Sequence, residues 1–296
     1  MDLFSSQPVH GLSTTNQADL STTTSSRIRQ FFQRNTDKTN ATISSSNPFN
    51  FAVAQRTDVG RRRQHNEDNV AYIIPKDEQL LAIKGALFIV ADGMGGHAAG
   101  EVASEIAVNT VCTLYYQDAD PNVPTNLMRA IKYANGAIHQ RASENAQHRG
   151  MGTTCVAAVL RGDTAYIANV GDSRAYLVRR GLVKQVTQDH SWVAEQVRMG
   201  QMTEEQAHAH EMRNVITRSL GPFPDVDVDI FAEQLEEGDA LVLCSDGLSG
   251  MMTDIDILRI VESFSLRESV FRLVEYANAQ GGVDNITAIV TRIIKK

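Results

Sequence analysis

The chain has 296 residues, 42% of them hydrophobic and 21% charged, which suits a soluble globular protein with a sizeable core in one large domain or two small ones. Its 28 Lys and Arg against 35 Asp and Glu give a formal net charge of -7, and no basic run offers a footprint for nucleic acid. The three cysteines are widely spaced in apolar runs, and no segment approaches the ~20 apolar residues of a membrane span or a signal pattern. A cytoplasmic protein without disulfides or a membrane span is therefore expected.

Residues 1–48 are dominated by Ser, Thr, Asn and Gln, a composition that cannot offset its ordering entropy by burial, and are expected to form a disordered leader. Residues 49–296 are expected to form one folded domain. Leu87–Ala91 reads as a buried strand, and the apolar spacing of Val102, Ile106, Val111 and Leu114, then of Leu127, Ile131, Ala134 and Ile138, predicts two successive helices. Thr153–Arg161, Thr164–Val170 and Arg174–Arg179 are β-rich, are separated by Gly-Asp turns, and predict an antiparallel meander. The polar stretch Ser191–Leu220 carries Thr203 and Gln206 at capping-box spacing for a short helix. Ala240–Ser245 and Asn285–Ile294 close the set of strands. Helices grouped in blocks beside many strands indicate an α+β fold with antiparallel sheets, not a doubly wound parallel one.

Four aspartates sit at strand ends, three of them beside glycine: Asp92 before Gly93, Asp246 before Gly247, Asp172 after Gly171, and Asp284 at the start of the last strand. Asp-Gly is common turn chemistry, so any one of them alone reads as a turn. Four together, each costly to desolvate unless paired, suggest an all-oxygen cluster for hard cations such as Mg²⁺ or Mn²⁺. No Cys/His spacing suits zinc. If Arg63-Gln64-His65-Asn66-Glu67 is extended, Arg63, His65 and Glu67 share a face and bring a phosphate-binding guanidinium and a carboxylate to one place. A solvated basic strand is the plainer alternative.

In order along the chain, Asp58-Val59-Gly60, Arg63…Asn66-Glu67-Asp68, Asp92-Gly93-Met94-Gly95-Gly96-His97 and Gly152-Thr153-Thr154 are followed by Gly171-Asp172-Ser173-Arg174. Asp189-His190-Ser191, Ser245-Asp246-Gly247-Leu248 and Gly282-Val283-Asp284-Asn285 complete the series. This ordered set resembles the type 2C metal-dependent protein serine/threonine phosphatases, particularly their bacterial members, over roughly residues 51–294. The resemblance implies a four-layer α-β-β-α sandwich, two antiparallel sheets flanked by helix pairs. It implies that Asp92, the Gly93 carbonyl, Asp246 and Asp284 bind two Mn²⁺ or Mg²⁺ ions, that Asp172 with Asp246 holds a third, that Glu67 and Asp68 lie behind them, and that Arg63 binds phosphate. It further implies a flap over about residues 190–220 where substrate choice lies, and a water shared by two metals that attacks phosphorus in line without a covalent intermediate. Many eukaryotic members carry His directly after the Asp-Gly; Met94 stands here, which leaves the general acid open. The implied partners are phosphorylated proteins, products of serine/threonine kinases, met by a monomer.

Two other signatures compete. Cys155 and Arg161 have the C-x₅-R spacing of cysteine-dependent phosphatases, but the five residues between them are all apolar and read as core strand. Gly93-Met94-Gly95-Gly96-His97-Ala98 fits a dinucleotide fingerprint, but a second helix follows the first where that fold needs a strand. The remaining rivals are a phosphoprotein-binding module without activity and a hydrolase of small phosphoesters.

Overall fold

The computed structural model describes residues 48–296 except His97 and Asn145, so the expected leader lies outside the described residues but for Pro48. One sheet has the order β1 (Phe49–Asp58), β11 (Ile286–Lys295), β10 (Ala240–Cys244), β7 (Arg174–Arg179), β8 (Leu182–Gln185). The other runs β2 (Asp68–Ile73), β3 (Ala86–Met94), β5 (Cys155–Arg161), β6 (Thr164–Val170), β9 (Asp229–Gln234), with the short β4 (Gly152–Thr153) on the far end of β3. Every pairing is antiparallel.

Strand alternation sorts the core into layers. On β10, Leu241 and Leu243 enter the space between the sheets with Phe88, Val156, Ile167 and Ile289. Val242 and Cys244 face the other way, onto Ile257 and Val261 of α7 (Asp254–Ser263) and Leu273 and Val274 of α8 (Leu266–Ala279). On the opposite side α2 (Ala98–Gln117) packs on β3, and α3 (Val123–Glu144) packs on α2 and β6. The central strands are apolar on both faces because both faces are covered, and each fully buried Leu, Ile or Phe contributes about 1.5–3 kcal/mol. This is the expected α-β-β-α sandwich. Among the described residues no helix is long and apolar enough to cross a membrane.

Three details differ from expectation. The predicted meander stops after β5 and β6, because β7 leaves for the other sheet and pairs with β10 and β8. The cause is the Gly171–Asp172–Ser173 turn: Gly171 has φ +108°, a region that favours glycine, and a Cβ there would lie 2.6 Å from Thr154 Cγ2. The strand expected over Thr153–Arg161 is split at Thr154, which bonds sideways to Asp92 and Ser173. Strands β1, β2, β8 and β9, helix α1 (Glu78–Lys84), and α7 and α8 complete the sandwich without having been anticipated. The capping box at Thr203 and Gln206 does open α5 (Glu204–Ala209), and a second, Thr253 with Asp256, opens α7.

Core and surface positions separate cleanly in denaturant. Leu243→Ala, in the fully buried layer between the sheets, is expected to cost about 2–5 kcal/mol of unfolding free energy. Leu182→Ala, at a side chain 72% exposed, is expected to stay within about 0.5 kcal/mol of the parent. Equal midpoints for the two variants in urea titrations would overturn this layer assignment.

Candidate metal centre

Both sheets deliver carboxylates to one end of the sandwich. Asp68 opens β2 directly opposite Asp92 on β3. Asp172 lies in the turn by which the chain crosses from β6 in one sheet to β7 in the other. Asp246 is the first residue of α6 (Asp246–Ser249), immediately beyond β10, and Asp284 precedes β11 by one residue. Asp92 is thus not past the end of its strand, since β3 continues to Met94 and pairs there with β4.

Neutral donors fix the backbone around these groups. The Asp92 N–H donates to Thr154 Oγ1 at 2.9 Å, and Thr154 Oγ1 lies 2.7 Å from Ser173 Oγ, beside Asp172. The Thr154 N–H and Thr153 Oγ1 both donate to the Asp92 carbonyl at 2.9 Å. Ser245 Oγ donates to Asp68 Oδ2 at 2.8 Å and accepts from the Thr287 N–H at 3.0 Å. Helix α2 begins so close to β3 that a Cβ on Gly93 would lie 2.2 Å from the Gly100 carbonyl oxygen. A Cβ on Gly100 would in turn lie 2.1 Å from Glu67 Oε2. Glycine at both positions lets the helix, the Glu67 side chain and the strand meet.

The electrostatics are those of like charges held together out of water. Burial, then the neighbouring Asp68, Asp246, Asp172 and Asp284, raise the Asp92 carboxyl well above the usual carboxylate range. Burial and Asp246 do the same to Asp172. Burial, then Asp284, raise Asp246 above the usual carboxylate range. Burial pushes Asp68 up to about 7 despite the hydroxyls of Thr287 and Ser245. Asp68 Oδ1, Asp172 Oδ1 and Asp246 Oδ1 are buried with no hydrogen-bond partner.

Among the described residues no three acidic, histidine or cysteine side chains close into a ready-made metal cage. The donor set nevertheless fits divalent cations. It is all oxygen, it holds buried oxygens that lack donors, and its mutual repulsion is what positive charge would relieve. His97 lies outside the described residues.

The arginine segment does not meet the condition under which Arg63, His65 and Glu67 would share one face of a strand. Residues 61–67 are a turn and bends, not an extended strand, because Asn285 and Gly282 tie the loop down. Asn285 Nδ2 donates to the Val59 and His65 carbonyls, both at 2.9 Å, and Asn285 Oδ1 accepts from the Glu67 N–H at 2.8 Å. The Arg61 N–H donates to the Gly282 carbonyl at 2.7 Å. His65 is consequently exposed and off the site, Glu67 is buried, and the half-exposed Arg63 places Nη2 2.7 Å from Asp284 Oδ2. Asn285, Ser245 and Thr154 stand inside the sequence motifs, yet their part in holding the site shows only in the fold. For Ser245 and Asn285 the signal is a polar residue beside an acidic one at a strand end; Thr154, between Thr153 and Cys155, carries no such signal.

The cysteine decoy fails on geometry as well as on pattern. Cys155 is fully buried in β5 with its thiol pushed up to about 12 by burial, and Arg161 donates to the Ile83 and Pro121 carbonyls instead.

Comparison with known proteins converges on one family. The family described as Protein phosphatase 2C matches residues 60–290. The serine/threonine phosphatase stp of Listeria innocua is 40% identical over 239 residues, covering 79% of this chain and 92% of that protein. The crystal structure of the Mycobacterium tuberculosis serine/threonine phosphatase PstP/Ppp aligns with a TM-score of 0.74 at 36% identity, covering 83% of this chain and 99% of that one. A PstP catalytic domain in complex with two manganese ions aligns with a TM-score of 0.72 at 34% identity, covering 83% and 99%. With this extent of sequence and fold in common, the chain belongs to the protein phosphatase 2C family.

Proposed function

We propose that the chain hydrolyses phosphoserine and phosphothreonine in proteins, by direct in-line attack of water on phosphorus with no covalent intermediate. The observation that carries this reading is a cluster of buried and half-buried carboxylates from both sheets, three of them with a buried oxygen that lacks a partner, lying beside an arginine at the surface. Asp92, the Gly93 carbonyl, Asp246 and Asp284 would hold two Mn²⁺ or Mg²⁺ ions, and Asp172 with Asp246 a third. Once bound, the ions would supply the Lewis acidity that lowers the pKa of the attacking water and offsets charge on the phosphoryl oxygens. Arg63, half-exposed beside Asp284, offers a planar fork of donors matched to a phosphate. Glu67, just before β2, and Asp68, its first residue, would lie behind the cluster. The buried, unreactive Cys155 argues against a phosphocysteine route.

Substrate choice belongs to the flap over residues 190–220, whose Met199, Met212 and Val215 are exposed and available to a protein surface. The substrates are products of serine/threonine kinases, and the chain acts on them as a monomer in the cytoplasm.

Mn²⁺-dependent phosphate release from a phosphothreonine peptide tests the reading. Release is expected to vanish with EDTA and with Asp246→Asn, and Arg63→Ala is expected to lower kcat/KM by about 10²–10³-fold. No release from folded, Mn²⁺-loaded protein would replace hydrolysis by phosphoprotein binding. Faster turnover of small phosphoesters than of the peptide would move the substrate class.

The cluster also fixes a pH dependence in chelator. Carboxyls raised in the folded state bind protons that the unfolded chain, with carboxyls near pKa ~3.9, has already lost. Their contribution to stability is therefore complete below the unfolded value and is lost as pH rises through the folded one, which for Asp68 is about 7. Asp92→Asn removes one of the repelling charges. It is expected to gain stability over the parent as pH rises from about 5 to about 8, and Mn²⁺ is expected to reverse that gain. Parallel stability curves for the two proteins in denaturant would show that the charges are not coupled.

A further inference from the structure

Gly171 has no side chain with which to anchor the turn that carries Asp172, and Thr154 leaves no room for one. The turn is held instead by its backbone, and residue 190 takes both of the glycine's polar groups. The Gly171 N–H donates to His190 Nδ1 at 3.0 Å, and the His190 N–H donates to the Gly171 carbonyl at 3.0 Å. The His190 carbonyl then accepts from the Thr217 N–H at 2.8 Å, and Ser191 bridges to Ile216, so the same residue lies where the two ends of the 190–220 segment meet. Its imidazole is 4% exposed. On the far side Nε2 lies 3.0 Å from Asp229 Oδ2 and 2.9 Å from Arg218 Nη1, while Arg218 Nη1 also lies 2.7 Å from Asp229 Oδ1.

These contacts select a tautomer. With the proton on Nε2, the ring donates to Asp229 and accepts from Gly171, and only the approach of Arg218 goes unused, its charge already held by Asp229. With the proton on Nδ1, the ring satisfies Arg218 but sets N–H against the Gly171 N–H and a lone pair against the Asp229 carboxylate. Two contacts outweigh one, and the one lost in the first case has a substitute.

We propose that His190 is a positioning residue: fixed as the Nε2–H tautomer between Asp229 and Gly171, it sets the turn that presents the Asp172 carboxylate to the cluster. It touches no reacting atom. It acts through one acceptor, Nδ1, and its Nε2–H bond to Asp229 serves to aim that acceptor. Asp189 next to it grips Arg174 through three contacts of 2.7–3.0 Å, so consecutive residues hold both flanks of Asp172. The catalytic consequence rests on the functional reading above; the structural one does not.

Two substitutions separate the two nitrogens. His190→Asn puts an amide oxygen near the Nδ1 position and keeps an acceptor for Gly171, whereas His190→Gln reaches the Nε2 position and keeps a donor for Asp229. In the whole protein, long-range ¹H–¹⁵N spectra of the parent are expected to give the Nε2–H tautomer. The Gly171 amide is expected to stay protected from hydrogen exchange in His190→Asn and to lose protection in His190→Gln. Mn²⁺-dependent turnover of a phosphothreonine peptide is expected to fall by about 10–100-fold in kcat for His190→Gln, with KM changed less, and by at least about tenfold less for His190→Asn. An Nδ1–H tautomer, or equal loss of Gly171 protection in the two variants, would overturn the proposal. So would activities that simply follow each variant's thermal stability, the mark of a merely structural histidine. If the parent itself released no phosphate, the functional reading would fail, and the tautomer and exchange measurements would still decide His190.

Discussion

The dominant constraint in this molecule is the repulsion among carboxylates held together at one end of the sandwich. Asp68, Asp92, Asp172 and Asp246 are all raised above the ordinary carboxylate range, with burial as the first cause in each case and another aspartate among the rest. At an effective dielectric of about 20, two unit charges ~4 Å apart repel by roughly 4 kcal/mol, a large share of the ~5–15 kcal/mol that keeps a domain folded. The chain alone reduces this repulsion by retaining protons. Divalent cations would remove it, and for the same reason the cluster is a poor structural device and a good binding site.

Holding such a cluster requires a frame that does not yield. The central strands are buried on both faces, between the opposite sheet and a helix layer, so neither sheet can slide to relax the charges at its end. Close backbone contacts complete the clamp. A Cβ on Gly247 would lie 2.0 Å from the Asn285 carbonyl oxygen, so α6, which starts with Asp246, is pressed against the strand that follows Asp284. Asn285 extends the same frame outward. Its amide spans Val59, His65 and Glu67, and so sets the loop from which Arg63 reaches the surface.

What the sequence made legible follows from how each part is held. Leu87–Ala91, Thr153–Arg161 and Ala240–Ser245 read as strands because burial on both faces makes most of each a continuous apolar run. The edge strand β1 mixes half-buried and exposed positions, and its one apolar run, Phe51–Ala54, is too short to mark all ten residues. The meander looked sound because β5, β6 and β7 follow one another through short turns. Yet nothing in those turns says that the chain changes sheet at Gly171, which depends on Thr154 in the break between β4 and β5. The site divides in the same way. Asp92, Asp172, Asp246 and Asp284 announce themselves by an acidic residue beside glycine or at a strand start, whereas the pairing of Asp68 with Asp92 is a matter of register. Whether residues 63–67 are extended could not be decided from their own pattern, because the ties that bend the loop come from residues 282 and 285, more than 200 positions away.

The two ends of the 190–220 segment show how an exposed surface is attached to a fixed centre. At its start His190 is bonded to Gly171, next to Asp172. At its finish Leu220 bridges to Thr153, whose hydroxyl donates to the Asp92 carbonyl. Between these ties Met199, Met212 and Val215 are exposed, so their side chains are free of the core packing that constrains the rest of the chain. Substitutions there change what the surface meets at little cost to stability. A change at either tie reaches a carboxylate through no more than two hydrogen bonds or bridges. Freedom to vary the surface and rigidity at the charges are therefore not in competition here, because the segment meets the cluster only where its own backbone is pinned.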